Sequence, residues 1–145
     1  ATGMRAVQIN TGKGCHLDAH MIEHALAELR PGDGSLLFIE NVGNLVCPAG
    51  FDLGEGLRCV LLSSPEGDDK PKKYPQAFLT ADVLLLTKSD LTPLLPFDPD
   101  KAAAEALAIN PRLRVFRVSA LRGEGLDELA GFFVEALAKE RSGRA

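Results

Sequence analysis

The chain has 145 residues, of which 46% are hydrophobic and 25% are charged, a composition that predicts one folded domain over residues 1–145 with a substantial apolar core. The net charge of −4 and the scattered Lys and Arg residues argue against a nucleic-acid or membrane surface. The apolar runs are as short as strands and no signal-peptide pattern opens the sequence, so we expect a cytoplasmic protein.

Apolar runs alternate with helix-like periodicity along the chain. Strands are expected at 5–10, 35–40, 57–63, 81–87 and 114–119, and helices at 17–29, 74–80, 98–109 and 125–139. The polar stretch 65–73 contains two prolines and is predicted as a loop. This alternation predicts an α/β fold with a mostly parallel sheet, whose ligands lie beyond the carboxyl ends of the strands.

A thiol and imidazoles stand with glycines at the first predicted step from strand to helix. Cys15 and His16 are adjacent there, and Cys47 follows the second predicted strand. Thiolate and imidazole suit transition metals, and the carboxyl ends of parallel strands lie close together. The sequence therefore predicts a metal site at Cys15, His16 and Cys47. His20 is a further candidate ligand, although histidines at four-residue spacing also occur on solvated helix faces.

Each cysteine also has an ordinary structural interpretation. A single thiol is most often a small buried side chain, and Cys59, inside an apolar run, is interpreted in that way. Cys15, His16 and Cys47 are one ligand short of a tetrahedral zinc site, so water or a second protomer would have to complete it.

The tetrapeptide Thr87-Lys88-Ser89-Asp90 ends the run 81–87 and is typical of a guanine site. The Asp90 carboxylate can accept from the ring N–H and the amine of guanine, a donor pair that adenine lacks, while the Lys88 stem lies along the base. Thr87 would tie neighbouring loops together. A backbone N–H of the next such loop can donate to the guanine carbonyl; its residues are Ser119, Ala120 and Leu121. The alternative interpretation is a helix-capping turn.

Three segments together closely resemble the HypB family of hydrogenase maturation GTPases, which insert nickel. They cover residues 7–21, 38–48 and 66–71. The resemblance implies that Cys15, His16 and Cys47 bind Ni²⁺ or Zn²⁺, and that residues 87–90 specify guanine. It also implies a γ-phosphate-sensing switch at residues 40–43, ending at Gly43.

The same resemblance implies a fold, cofactors and partners. The fold would be a three-layer, P-loop-NTPase-like domain of the SIMIBI type, and the intact protein would hydrolyse GTP with Mg²⁺. The partners would be guanine nucleotide, a second copy bound through the metal and nucleotide face, a nickel chaperone and the hydrogenase large subunit.

The chain also departs from the family pattern. No Gly-x-x-x-x-Gly-Lys-Ser/Thr phosphate loop occurs in it, and in the family this loop, its strand and the first switch would precede Ala1. We therefore expect an N-terminally truncated GTPase domain that recognises guanine but has no GTPase activity by itself. Thr87 stands where related GTPases more often have Asn, and Leu121 where they often have Lys.

Other functional classes stay open at this level. The chain could be a metal-binding or interaction module with a vestigial nucleotide pocket, or a nickel accessory GTPase for urease. The urease branch carries Cys-Pro-His in the first metal loop, so the direct step from Cys15 to His16 favours the hydrogenase branch. A flavodoxin-like or dinucleotide-binding enzyme shares the sheet but has no use for Thr-Lys-x-Asp.

Overall fold

A computed structural model describes residues 3–143. The chain divides into two compact units, of which the first ends at Glu55 and the second begins at Gly56. The single-domain organisation stays a prediction. Within residues 3–143 no helix has the length and apolar character needed to cross a membrane.

One helix organises the first unit. Helix α1 spans Ala19–Leu29 and begins at Asp18, whose side chain accepts a hydrogen bond from the Met21 amide. The helix ends at Arg30, which takes a left-handed conformation and donates its N–H to the Leu26 carbonyl oxygen over 2.8 Å. Ile22 is its buried contact with the rest of the unit. The predicted helix over 17–29 is thus confirmed apart from its first two residues.

Two predicted strands do not form. The segments 5–10 and 35–40 are irregular, and in the described part of the chain the sheet contains only strands of the second unit. The second segment leaves Leu36, Leu37 and Phe38 exposed by 45%, 39% and 69%. A strand needs a hydrogen-bonded neighbour, and neither segment has one among residues 3–143, so the two strand predictions were wrong.

The second unit is built on a parallel sheet in the order β1-β2-β3. Its strands are β1 (Cys59–Ser63), β2 (Val83–Thr87) and β3 (Arg114–Val118). Its helices are α2 (Lys70–Lys73), α3 (Pro75–Leu79), α4 (Pro99–Ile109) and α5 (Leu126–Gly143). Parallel strands joined through helices confirm the predicted α/β class. Helix α2 and a 3₁₀ turn at Ser64–Glu66 lie in the stretch that was predicted as a loop.

The core of this unit surrounds the central strand. Strand β2 is the sequence Val-Leu-Leu-Leu-Thr, and its first four residues are all buried, as expected for a parallel strand covered on both faces. On one face Phe116 packs against Phe132 of α5, with ring centroids 5.3 Å apart. Cys59 is partly buried and packs against the apolar cluster of Val83, Leu85, Phe116 and Val118. Desolvation raises the pKa of its thiol to about 11. Its interpretation as a core thiol is consistent with both observations.

Candidate functional site

The carboxyl ends of the three strands lie side by side in the second unit. Ser63 pairs with Thr87 across β1 and β2, and Thr87 pairs with Val118 across β2 and β3. The chain therefore leaves all three strands at the same edge of the sheet. The two loops predicted to hold guanine begin here, one at Lys88 and the other at Ser119.

A hydrogen bond joins these two loops. The hydroxyl of Ser119, which is fully buried, donates to Oδ1 of Asp90 over 2.5 Å. The Arg122 amide donates in turn to the same hydroxyl oxygen over 3.2 Å. A carboxylate oxygen has two lone pairs, so Oδ1 can accept from Ser119 and still accept from a base. The contact orients the half-buried Asp90 without using up its acceptor capacity.

Ser64 positions the turn that carries Asp90, a role the sequence analysis missed. Its hydroxyl oxygen lies 3.2 Å from the Thr87 carbonyl oxygen, 3.1 Å from that of Lys88 and 3.1 Å from the Thr92 hydroxyl. Ser64 is only 4% exposed. A hydroxyl is one donor and an acceptor, so Ser64 can donate to the carbonyls and accept from Thr92. It thereby links the end of β1 to the loop after β2.

Backbone conformation completes the turn after β2. Lys88 lies in the left-handed region, with φ of 57°, and the 3₁₀ helix Ser89–Leu94 follows it. Residues with a side chain seldom adopt this conformation, and where they do so the surrounding structure enforces it. The contact of Ser64 with the Lys88 carbonyl is one such constraint. The reversal at Lys88 brings Asp90 back toward Ser119.

The loop after β3 depends on one glycine. Gly125 has a φ of 71°, and a Cβ added there would lie 2.2 Å from the Arg117 carbonyl oxygen. The backbone at Gly125 lies close to β3, and next to it the Ser119 amide donates a hydrogen bond to the Glu124 carbonyl oxygen over 3.0 Å. The loop is therefore folded back on β3, and Ala120 and Leu121 are exposed at its tip, Leu121 by 85%.

The predicted metal ligands belong to the first unit, where two of the contacts among them are formed. The Cys15 Sγ lies 3.7 Å from the His16 Nδ1. A hydrogen bond with Cys15, together with partial desolvation, raises the pKa of the Cys47 thiol. Two ligands of one tetrahedral zinc ion, at about 2.3 Å for sulfur and about 2.05 Å for nitrogen, would lie about 3.6 Å apart. The spacing of Cys15 and His16 fits that value.

The amide of Asn44 connects the two cysteine loops. Its Nδ2 donates to the Cys15 carbonyl oxygen over 3.1 Å, and its Oδ1 accepts from the amides of Val46 and Cys47 over 3.0 and 2.9 Å. Asn41 adds a parallel link, because its Oδ1 accepts from the Leu17 amide over 3.0 Å. The segments before Cys15 and Cys47 are not strands, so side-chain amides join the loops that the sequence analysis assigned to a sheet edge.

The complete set of three ligands is not arranged around one point. His16 stacks on Phe51, with ring centroids 3.7 Å apart and planes at 13°. Among residues 3–143 no three side chains of His, Cys, Asp or Glu stand in a metal-ligating group. The structure therefore pairs Cys15 with His16 and brings the Cys47 thiol near enough to Cys15 to raise its pKa, and a shared ion would require side-chain rearrangement.

The other two predicted positions lie elsewhere in the first unit. His20 contacts His24, with their Nε2 atoms 3.1 Å apart. Gly43 lies in the loop between Asn41 and Asn44, and an added Cβ there would meet no described atom within 4 Å. Its predicted role in sensing the γ-phosphate stays a prediction.

Comparison with known protein families shows which family this chain belongs to. Residues 1–117 match the sequence model described as "CobW/HypB/UreG, nucleotide-binding domain". The chain belongs to this family. The hydrogenase maturation factor HypB of Azotobacter vinelandii is 62% identical over 128 residues, which cover 88% of this chain and 42% of that protein. The HypB resemblance seen in the sequence is thereby confirmed.

Solved structures give the same family relationship and the same fold. HypB of Archaeoglobus fulgidus matches with a TM-score of 0.87 and 44% identity, covering 93% of this chain and 66% of that one. HypB of Helicobacter pylori, solved in complex with nickel, matches with a TM-score of 0.88 and 38% identity, covering 95% and 66%. The matches confirm the P-loop-NTPase-like fold class. The chain spans about two fifths of the length of the Azotobacter relative.

Proposed function

We propose that this chain is the guanine-recognising and nickel-binding part of a GTPase that delivers nickel during hydrogenase maturation. The observation that carries the nucleotide half is the hydrogen bond between Asp90 and Ser119 at the carboxyl edge of the sheet. Membership in a nucleotide-binding family and the HypB relatives support the assignment.

Guanine is the base that the loop chemistry favours. Asp90 is an acceptor oriented by Ser119, and guanine offers it two adjacent donors whereas adenine does not. Lys88 is exposed, so its stem is available to cover the base. The amides of Ala120 and Leu121, at an exposed loop tip, are suited to donate to the guanine carbonyl. The replacement of the usual Asn by Thr87 leaves the Asp90 contact unaffected.

Nickel is proposed as the cargo of the first unit. Cys15, His16 and Cys47 supply sulfur and nitrogen donors that suit Ni²⁺ and Zn²⁺ alike. The link that Asn44 makes between the two cysteine loops supports a shared ion. The Helicobacter relative was solved with nickel bound, which supports the same metal here. With three residues as ligands, water or a second protomer would complete the coordination.

GTP hydrolysis belongs to the intact protein in this proposal. The chain contains no Gly-x-x-x-x-Gly-Lys-Ser/Thr motif, the element that cradles the phosphates and holds Mg²⁺ in such enzymes. Its own residues therefore select the base, and phosphate chemistry needs groups supplied by the rest of the protein. A cytoplasmic homodimer, a nickel chaperone and the hydrogenase large subunit complete the proposed setting.

The test is base selectivity measured by calorimetry with GDP, ADP and xanthosine diphosphate. We expect GDP to bind more tightly than ADP. Asp90→Asn should weaken GDP by at least about tenfold and strengthen xanthosine diphosphate, because an amide can donate to the added carbonyl of xanthine. The matched control is Asp69→Asn, which removes an exposed carboxylate paired with Lys73. Equal affinity for GDP and ADP, or an Asp90→Asn chain that binds GDP as wild type does, would overturn the proposal.

A further inference from the structure

An aromatic stack joins the two loops that carry the proposed metal ligands. The imidazole of His16 lies face to face with the ring of Phe51, with centroids 3.7 Å apart and planes at 13°. Phe51 is 41% exposed, so the two rings meet near the surface of the first unit. The proposed function leaves Phe51 without a role.

The backbone is held on both sides of the stack. Leu17, the residue after His16, is only 4% exposed and anchors that loop. On the other side, the 3₁₀ turn Pro48–Gly50 separates Cys47 from Phe51, and the Phe51 amide donates to the carbonyl oxygen of the first residue of that turn over 3.3 Å. The ring of Phe51 is therefore tied to the backbone of Cys47 by a single short turn.

The stack sets the plane of the imidazole and with it the direction of Nδ1. That atom of His16 lies 3.7 Å from the Cys15 Sγ, close to the separation of about 3.6 Å expected for a sulfur and a nitrogen on one tetrahedral zinc ion. A neutral imidazole has one protonated nitrogen and one with a free lone pair. With Nδ1 beside the thiol, the form that binds metal carries its proton on Nε2.

Stacking should become stronger when an ion binds. A metal-bound imidazole loses electron density to the cation, and the face of a phenyl ring attracts electron-poor and cationic groups. A ring already held in place also loses little freedom on binding. Of the three ligands, Cys47 is then the one left to adjust, and its sulfur turns about a single side-chain torsion.

We propose that Phe51 is a positioning residue of the metal site, which holds His16 beside Cys15 with Nδ1 as the ligating atom. The inference rests on the proposed function, because it requires Cys15, His16 and Cys47 to share an ion. Phe51 offers no donor atom to that ion and acts on affinity through a ligand. Its effect should therefore vanish when the imidazole is absent.

The experiment is a double-mutant cycle on metal affinity. Ni²⁺ and Zn²⁺ are titrated by calorimetry under reducing conditions into the full chain, into Phe51→Leu and into Phe51→Tyr. We expect Phe51→Leu to weaken the binding of both ions by about threefold to tenfold, the range that the loss of one aromatic stack allows. Phe51→Tyr keeps the ring and should bind as wild type does. In a His16→Ala background, Phe51→Leu should cause no further loss.

Nuclear magnetic resonance gives a readout that does not depend on affinity. In the metal-free chain, the ring current of Phe51 should shift the ring protons of His16 upfield, and Phe51→Leu should remove that shift. In the Zn²⁺ form, long-range proton–nitrogen correlation spectra should show zinc on Nδ1 and the proton on Nε2 of His16. Zinc on Nε2 would overturn the inference.

Phe38→Leu is the matched control, because it makes the same substitution at a side chain that is 69% exposed and outside both cysteine loops. It should leave both affinities unchanged. A Phe51→Leu chain that binds as wild type does, or that loses as much affinity with His16→Ala as without it, would overturn the positioning role and leave the metal site in place. A wild-type chain that binds neither ion would instead contradict the nickel half of the proposed function, and this inference with it.

Discussion

In the second unit a sheet positions the residues of the candidate site, whereas in the first unit side-chain amides do so. Asp90 and Ser119 stand at the ends of paired parallel strands, and their loops meet because the register aligns Thr87 with Val118. Cys15 and Cys47 follow irregular segments, and Asn44 joins them through three hydrogen bonds to the backbone. A sheet edge is held by many hydrogen bonds, whereas the two cysteine loops are joined by the side chains of Asn44 and Asn41, so the loss of one amide removes much of their link.

This difference predicts how each site responds to mutation. Apart from changes to Asp90 itself, damage to the nucleotide site should also lower the stability of the second unit, because the groups that position its loops are part of the packed fold. Damage to the metal site should follow from the loss of one polar side chain with little effect on stability.

The largest effect is expected from Gly125→Ala. The new Cβ would lie 2.2 Å from the Arg117 carbonyl oxygen at a backbone φ of 71°. Strain and displacement of the loop should together lower the free energy of unfolding by about 3 kcal/mol and weaken GDP binding. Gly123→Ala is the matched control, because Gly123 has a φ of 75° but open space around it. Denaturant unfolding of both variants measures the difference, and equal losses would show that the close approach to Arg117 is unimportant.

A smaller effect is expected from Ser64→Ala. The variant loses the hydroxyl that contacts the carbonyl oxygens of Thr87 and Lys88, and the lost hydrogen bonding should lower the free energy of unfolding by about 1–2 kcal/mol. Ser89→Ala is the control, because the Ser89 hydroxyl is buried without a hydrogen-bond partner among the described residues. Removing it should be neutral or stabilising. A Ser64→Ala chain as stable as wild type, with unchanged GDP affinity, would exclude a positioning role for Ser64.

In the first unit, Asn44→Ala should affect metal binding more than stability. The variant loses the hydrogen bonds of Asn44 and keeps the link from the Leu17 amide to Asn41. We expect nickel affinity to fall by about tenfold, as is common when groups that orient metal ligands are lost. Asn10→Ala removes a comparable local bond, from the Gly12 amide, and should leave nickel affinity unchanged. Nickel titrations under reducing conditions provide the measurement. Asn44→Ala with wild-type affinity would mean that the two cysteines are positioned by something else.

The strands of the second unit could be predicted from their apolar pattern. The two strands wrongly predicted in the first unit show what that pattern leaves out. The run at β2 is apolar at four successive positions, and so is the run Leu36 to Ile39. Their patterns do not distinguish them, yet only β2 has neighbours to bond with on both sides. Strand formation is a property of a pair of segments, so composition indicates a β-prone run but does not establish its pairing.

Some residues of the candidate sites could be predicted from the sequence, and others could not. Asp90 and Ser119 could be placed together because strand ends meet by rule. The roles of Ser64 and Asn44 could not be predicted, because each contacts residues more than twenty positions away through one side chain. His20 and His24 were recognisable as a spaced pair, but their 3.1 Å separation depends on rotamers that the sequence does not state.

The smallest effect concerns an ion pair that ties the loop after β1 to α4. Lys101 donates to Asp68 over 2.8 Å, and the Asp98 amide donates to the same carboxylate over 3.2 Å. The hydrogen bond from Lys101 is the main reason that the pKa of Asp68 lies below its ordinary value of 3.8. A lowered folded pKa means that the stabilisation by Asp68 is present above pH 3.8 and is lost as the pH falls through the folded value.

Melting temperatures between about pH 6 and about pH 2 should therefore fall more steeply for wild type than for Asp68→Asn, which has no such carboxyl to protonate. The comparison is Asp69→Asn, which removes the pair with Lys73. The Asp69 side chain is 49% exposed whereas that of Asp68 is 17% exposed, and solvent screens the more exposed pair more strongly. Asp69→Asn should thus flatten the curve less than Asp68→Asn. Identical curves for the two variants would contradict this expectation. They would show that the link between this loop and α4 gains nothing from the lower exposure of Asp68 or from its hydrogen bond with the Asp98 amide.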